Sequence, residues 1–139
     1  MKVVVEEKVA APVAKVFAVA GDFGGLEKNE MILDFSIEGS GVGAVRTITL
    51  AGGGVIVERL EKHDPAAATY TYAIINEQTA LPVANYVSTV VITADGADGS
   101  IINWSSTFDA VGAPEAQVEA IISGVYKGGI ARTRQKLGL

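Results

Sequence analysis

Apolar and polar positions along the chain follow two different periods. Residues 2–9, KVVVEEKV, read as a strand. Ala11-Pro12 then opens a helix, in which Val13, Val16, Phe17 and Ala20 recur at helical spacing and Gly21 is the stop. LEKNEM (26–31) has room for a second helix of one or two turns. From there the period falls to two. VRTITL (45–50), VIVERLEKH (55–63), TYTYAII (69–75), NYVSTVVITA (85–94) and SIINWSSTFDA (100–110) are strands, and turn signals separate them at short intervals. Pro114 starts a long helix from Glu115 to about Leu137, with Val118, Ile121, Ile122, Val125, Ile130 and Leu137 mostly on one side. In outline the pattern predicts one strand, two short helices, six strands, the five named above being those with clear alternation, and a long helix. That is an α+β architecture with a seven-stranded antiparallel sheet. A curved sheet around one helix need not close its core, and the gap can become a cavity.

Two glycine-rich stretches imitate phosphate loops. AVAGDFGGLEKNEM (18–31) follows a helix, whereas a phosphate-cradling loop follows a strand and opens a long helix. EGSGVGAVRTITL (38–50) runs into a strand, so its glycines mark a turn or bulge. Neither predicts a nucleotide site.

Alternation assigns the concave face. Arg46, Ile48 and Leu50 share one parity, as do Ile56, Glu58 and Leu60. Pairing across the turn AGGG (51–54) sets Ile48 opposite Ile56 and Arg46 opposite Glu58. Two opposite charges thus fall on an apolar face. They either turn inward, where they need partners, or reach solvent at the sheet edge. Tyr70, Tyr72 and Ile74 share a face, as do Tyr86, Ser88, Val90 and Ile92, and Trp104, Ser106 and Phe108. Apolar walls with a few hydroxyls suit a ligand pocket; alternatively, the tyrosines rim the sheet. The long helix carries Gly124, Gly128 and Gly129 in its interior. Each costs about 0.5–1 kcal/mol relative to alanine. Gly129 falls on a stripe with Ile121 and Val125, where a missing side chain makes room either for a ligand or for close packing.

Composition narrows the function classes. The 139 residues suffice for one domain, 1–139, and are 49% apolar and 19% charged. A net charge of −5 argues against nucleic acid. With no cysteine there is no disulfide, thiol catalysis or cysteine-bound metal, and no histidine cluster suggests another metal site. No signal peptide or membrane span is read in the sequence, so the expected compartment is the cytoplasm. The expected state is monomer or homodimer, with no cofactor.

APVAKVFAVAGDFGGL, GVGAVRTITLAGGGVIVERLEKHDPAAATYTYAI, LPVANYVSTVVIT and WSSTFD together resemble the START-like, birch-pollen-allergen-like superfamily. The likeness is greatest to its bacterial polyketide cyclase/dehydrase-type branch, the SRPBCC proteins, and extends over nearly the whole chain. The plant abscisic-acid receptors are similar over the same hairpin and strands. The resemblance implies a helix-grip fold, a curved seven-stranded sheet gripping a long C-terminal helix, with a deep hydrophobic cavity between them. It implies pocket positions at Glu58, Tyr72, Ile74, Tyr86 and Ser88. Trp104 and Gly129 stand where the receptors carry an acid and a polar helix residue, and the loops 51–54 and 77–84 match their gate and latch. The gate here reads Ala51-Gly52-Gly53-Gly54 and no His-Arg-Leu latch is present, so hormone reception is not carried over.

The expected function is binding of a small hydrophobic or amphipathic molecule (lipid-, polyketide- or isoprenoid-like), admitted between those two loops. Its expected contacts are Arg46, Ile48, Leu50, Ile56, Glu58, Leu60, Tyr72, Ile74, Tyr86, Ser88, Trp104, Ser106, Ile121, Val125 and Gly129. The alternative is a cyclase or dehydratase acting on a polyketide-like substrate, with Glu58 as acid/base and Tyr72 or Tyr86 as hydrogen-bond donor. A purely structural or partner-binding domain is the third reading. His63 in the turn EKHDP reads as solvated, and Ser88 and Ser106 lack a histidine neighbour for a hydrolase triad.

Overall fold

A computed structural model describes residues 1–139. Its order is β1 (Lys2–Val9), α1 (Val13–Ala20), β2 (Ile32–Glu38), β3 (Val45–Leu50), β4 (Val55–Asp64), β5 (Thr69–Ile74), β6 (Val83–Ala94), β7 (Ser100–Ala110) and α2 (Glu115–Lys136). The strands form one antiparallel sheet in the order β1-β7-β6-β5-β4-β3-β2. This is the helix-grip arrangement. Register shifts in the β2–β3, β4–β5 and β6–β7 pairs add local bend and twist, which curve the sheet towards α2. No helix is long and apolar enough to cross a membrane.

One short helix, not two, precedes β2. Residues 22–31 form turns and irregular backbone. LEKNEM offers only Leu26 and Met31 as apolar anchors, too few for a helical stripe. Asn29 instead turns the chain into β2, its side-chain oxygen accepting from the N–H groups of Met31 (2.8 Å) and Ile32 (2.9 Å).

The core lies between α2 and one half of the sheet. Val118, Ile122, Tyr126 and Ile130 of α2 are fully buried with Val3 and Val5 of β1, Ile102 and Phe108 of β7, and Tyr86 and Val90 of β6. Burying each such side chain contributes about 1.5–3 kcal/mol. On one flank of α2, Arg134 donates to Glu7 (2.9 Å) and to the Lys8 carbonyl (2.6 Å), which fixes that flank over β1. Val125 lies nine residues earlier, two and a half turns, and so on the opposite flank. It is 40% exposed. Val125, and Ile121 one turn before it, therefore face away from β1, towards the outer strands. At the far end of α2, Lys136 donates to the Gly25 carbonyl (2.8 Å) and holds the 22–31 segment.

Candidate functional site

The β3–β4 hairpin has the register its turn dictates: Ile48 pairs with Ile56 and Arg46 with Glu58. Both charges point inward. Arg46 Nε donates to Glu58 Oε1 at 2.7 Å, with side-chain exposures of 12% and 8%. Phe23, from the segment after α1, lies across the pair. Its ring centroid is 4.1 Å from the guanidinium carbon and its carbonyl accepts from Arg46 Nη1 at 3.1 Å. Tyr72 stands on another side of the guanidinium, 5.4 Å from ring centroid to carbon. Burial, the largest influence, works against the charge of Arg46, but the Glu58 carboxylate together with Tyr70 and Tyr72 outweighs it and holds the guanidinium above its ordinary pKa. Oε2 of Glu58 accepts no hydrogen bond from the chain. Phe23 escaped the sequence reading because nothing in GDFGG marks where an irregular segment will cross the sheet.

Next to the ion pair lies a group of hydroxyls. Tyr72, Tyr86, Ser88 and Ser106 are all buried, and so is Tyr126 of α2. The hydroxyls of Tyr86 and Tyr126 hydrogen-bond to each other. Trp104 Nε1 donates to Ser88 Oγ (3.0 Å) and Tyr72 Oη (3.2 Å), and its ring stacks on Tyr126 at 4.7 Å and 14°. Burial raises the pKa of Tyr72 and Tyr86 well above the ordinary phenol value and raises that of Tyr126 as well. These hydroxyls keep their protons at any physiological pH. Ser106 Oγ is buried without a partner that meets hydrogen-bond geometry.

The expected hollow is filled along much of the helix. A Cβ at Gly129 would stand 2.5 Å from Trp104 Cζ3 and 2.7 Å from Cη2, so the room left by the glycine is taken by the indole. Close packing, rather than an empty space, accounts for that residue. The inward stripe of α2 is Val118, Ile122, Tyr126 and Ile130, not Ile121 and Val125. Tyr126 was missed although it sits four residues from both Ile122 and Ile130, a spacing that could have found it. The expected opening between the loops 51–54 and 77–84 is also closed: the Ala80 N–H donates to the Val55 carbonyl (3.1 Å), and a Cβ on Gly54 would meet that of Ala80 at 2.6 Å.

Some apolar side chains stay partly open. Leu50, Ile74 and Trp104 lie on the concave face yet are only partly buried; on the flank of α2 turned away from β1, Ile121 is partly buried and Val125 exposed. Ile48, Ile56 and Leu60 form the buried floor on the outer strands. The concave face thus carries partly open apolar side chains and the Arg46–Glu58 pair together. Two clefts of the surface lie elsewhere: one of about 480 Å³ by Lys8, Asp95 and Arg134, and one of about 500 Å³ between α1 and β4 by Phe17, Phe23 and His63. His63 is exposed, and its ring is 5.4 Å from that of Phe17.

A profile described as polyketide cyclase/dehydrase and lipid transport matches residues 1–138. The chain belongs to that family. Similar solved structures place it among helix-grip proteins. A Bacillus thuringiensis protein of unassigned function is 25% identical at a TM-score of 0.83, over 99% of this chain and 98% of its own. The protein XoxI of Bacillus cereus is 26% identical at 0.84, over 97% and 94%. Norcoclaurine synthase of Thalictrum flavum, solved with dopamine and hydroxybenzaldehyde, is 21% identical at 0.78, over 99% and 85%, a likeness of fold. No curated protein matches the chain. The family description names two activities, polyketide cyclisation or dehydration and lipid transport.

Proposed function

We propose that the chain binds a small hydrophobic or amphipathic molecule along a strip between α2 and strands β3–β5. The observation that carries this reading is the set of apolar side chains left partly open, Leu50, Ile74 and Trp104 on the concave face and Ile121 and Val125 on the flank of α2 turned away from β1. A closed core packs such side chains fully, whereas binding clefts combine apolar walls with few polar anchors. The free Oε2 of Glu58 is the polar anchor. The apolar body of the ligand lies against Ile121 and Val125, and its donor group points towards Glu58. A fluorescent fatty acid, 11-(dansylamino)undecanoic acid, tests this. It should bind saturably with one molecule per chain and a blue-shifted emission, and Val125→Asp should weaken it at least tenfold. Unsaturable binding, or binding indifferent to Val125→Asp, rules the strip out.

A second reading has one observation in its favour. Glu58 is a 6%-exposed carboxylate with one oxygen uncommitted, which is what a general base in an apolar site requires. On this reading Oε2 takes a proton from an activated carbon of a polyketide-like substrate. Glu58→Gln keeps the shape and removes the charge: it should abolish turnover while the apolar contacts still hold the ligand, and turnover retained by Glu58→Gln rules this reading out.

A further inference from the structure

The indole of Trp104 occupies a seat shaped for a flat ring. Gly129 leaves one face of the seat bare, since any side chain there would overlap the six-membered ring of the indole. Tyr126 supplies a stacking surface 4.7 Å away and nearly parallel. At the far edge two hydroxyl oxygens, Ser88 Oγ and Tyr72 Oη, share the single N–H. Two residues along β7 on the same face, Ser106 Oγ is buried and unpartnered. The seat therefore offers more hydrogen-bonding capacity than an indole can use. Trp104 is also the outermost member of the group. It is partly buried where Ser88 and Tyr126 beneath it are wholly buried, and it is one of the partly open apolar side chains of the concave face.

We propose that this seat is a subsite for a planar aromatic ring bearing a hydroxyl or N–H, and that Trp104 is its tenant in the unliganded protein. The inference rests on the concave-face reading above and names the ligand class for it: phenol-like or indole-like, one or two fused rings wide. The ligand ring replaces the indole on Tyr126 and over Gly129, and its donor replaces the indole N–H at Ser88 and Tyr72. The ligand makes the same kinds of stacking and hydrogen-bonding interaction that the indole gives up, and its remaining contacts have to cover the cost of moving the indole out. The hydroxyl of a phenol, which both donates and accepts, can further satisfy Ser106. Because the binding-competent state is the fraction with the indole displaced, Trp104 lowers the apparent affinity by that fraction.

The chain has one tryptophan, so ¹⁵N-labelled full-length protein gives one indole N–H resonance. The probes are 2-naphthol, planar with a hydroxyl, and 1-adamantanol, a hydroxyl on a globular body. The expected result is that 2-naphthol shifts the indole N–H and speeds its exchange with water at least tenfold, while 1-adamantanol does neither. Trp104→Ala should bind 2-naphthol at least tenfold more tightly than the parent protein; if that variant does not fold, the parent's indole resonance decides alone. An indole N–H unmoved by 2-naphthol at millimolar concentration overturns the proposal. So does an equal response to 1-adamantanol, or weaker 2-naphthol binding by a folded Trp104→Ala, which would make Trp104 a wall. If the dansylated fatty acid binds the strip while the indole stays in place, the broader reading survives and this one falls. If neither probe moves any resonance of α2 or β3–β5, both fall.

Discussion

Arg46 and Glu58 illustrate how far a single pair can be traced from sequence. A hairpin turn of known position fixes which residues face each other, and alternation fixes the face, so their meeting was legible in the string VRTITLAGGGVIVERL. Whether they turn inward was not, because the answer depends on Phe23 arriving from a segment with no periodic pattern. Buried pairs of this kind are costly to break and cheap to replace. Arg46→Met alone should destabilise the fold by about 3–5 kcal/mol, since it leaves a carboxylate buried without its partner. Arg46→Met combined with Glu58→Leu should recover most of that loss. Urea unfolding of the two single variants and the double variant measures the coupling directly. Strict additivity would mean that the two side chains do not interact in solution.

Among the elements, α2 separates what periodicity can show from what it cannot. Its length, its start after Pro114 and its buried residues Val118, Ile122 and Ile130 follow from spacing. Its apolar residues also extend onto Ile121 and Val125, and sequence alone does not say which part of that wide stripe is packed. The anchor that decides, Arg134 on Glu7, joins residues far apart in the chain. Likewise β2 is an edge strand with mostly exposed residues, which blurs its alternation, and the 26–31 stretch has too little apolar content to hold a helix. The two flanks should respond differently to the same insult. Ile122→Asp should cost about 3 kcal/mol or more, the cost of an unpaired charge in a packed core. Val125→Asp should stay within about 0.5 kcal/mol. Thermal unfolding by circular dichroism distinguishes them, and comparable losses would place both side chains in the core.

For the molecule as a whole, the four tyrosines make the fold sensitive to alkali. Burial pushes Tyr70 up to about 12, with Arg46 pulling against it, and desolvation raises Tyr72, Tyr86 and Tyr126 too. In the unfolded chain each phenol titrates near 10. Between these values the unfolded state releases protons that the folded state retains. The stabilisation is therefore complete below about pH 10 and is lost as pH rises towards 12. For Tyr70 alone, two units correspond to about 3 kcal/mol. Urea midpoints should be flat from pH 7 to 9 and fall steeply above 10, and Tyr70→Phe should make the fall shallower. A midpoint that holds to pH 12 would mean that the phenols ionise freely in the native protein.

The pairing of β1 with β7 ties Lys2 to Thr107 and Val9 to Ser100. β1 must therefore wait for β7 before it has a neighbour to bond. Val3, Val5 and Val9 stay uncovered during that interval, and closing so long a loop is slow. On the ribosome, β1 is a sticky thread that only the completion of β7 can hide.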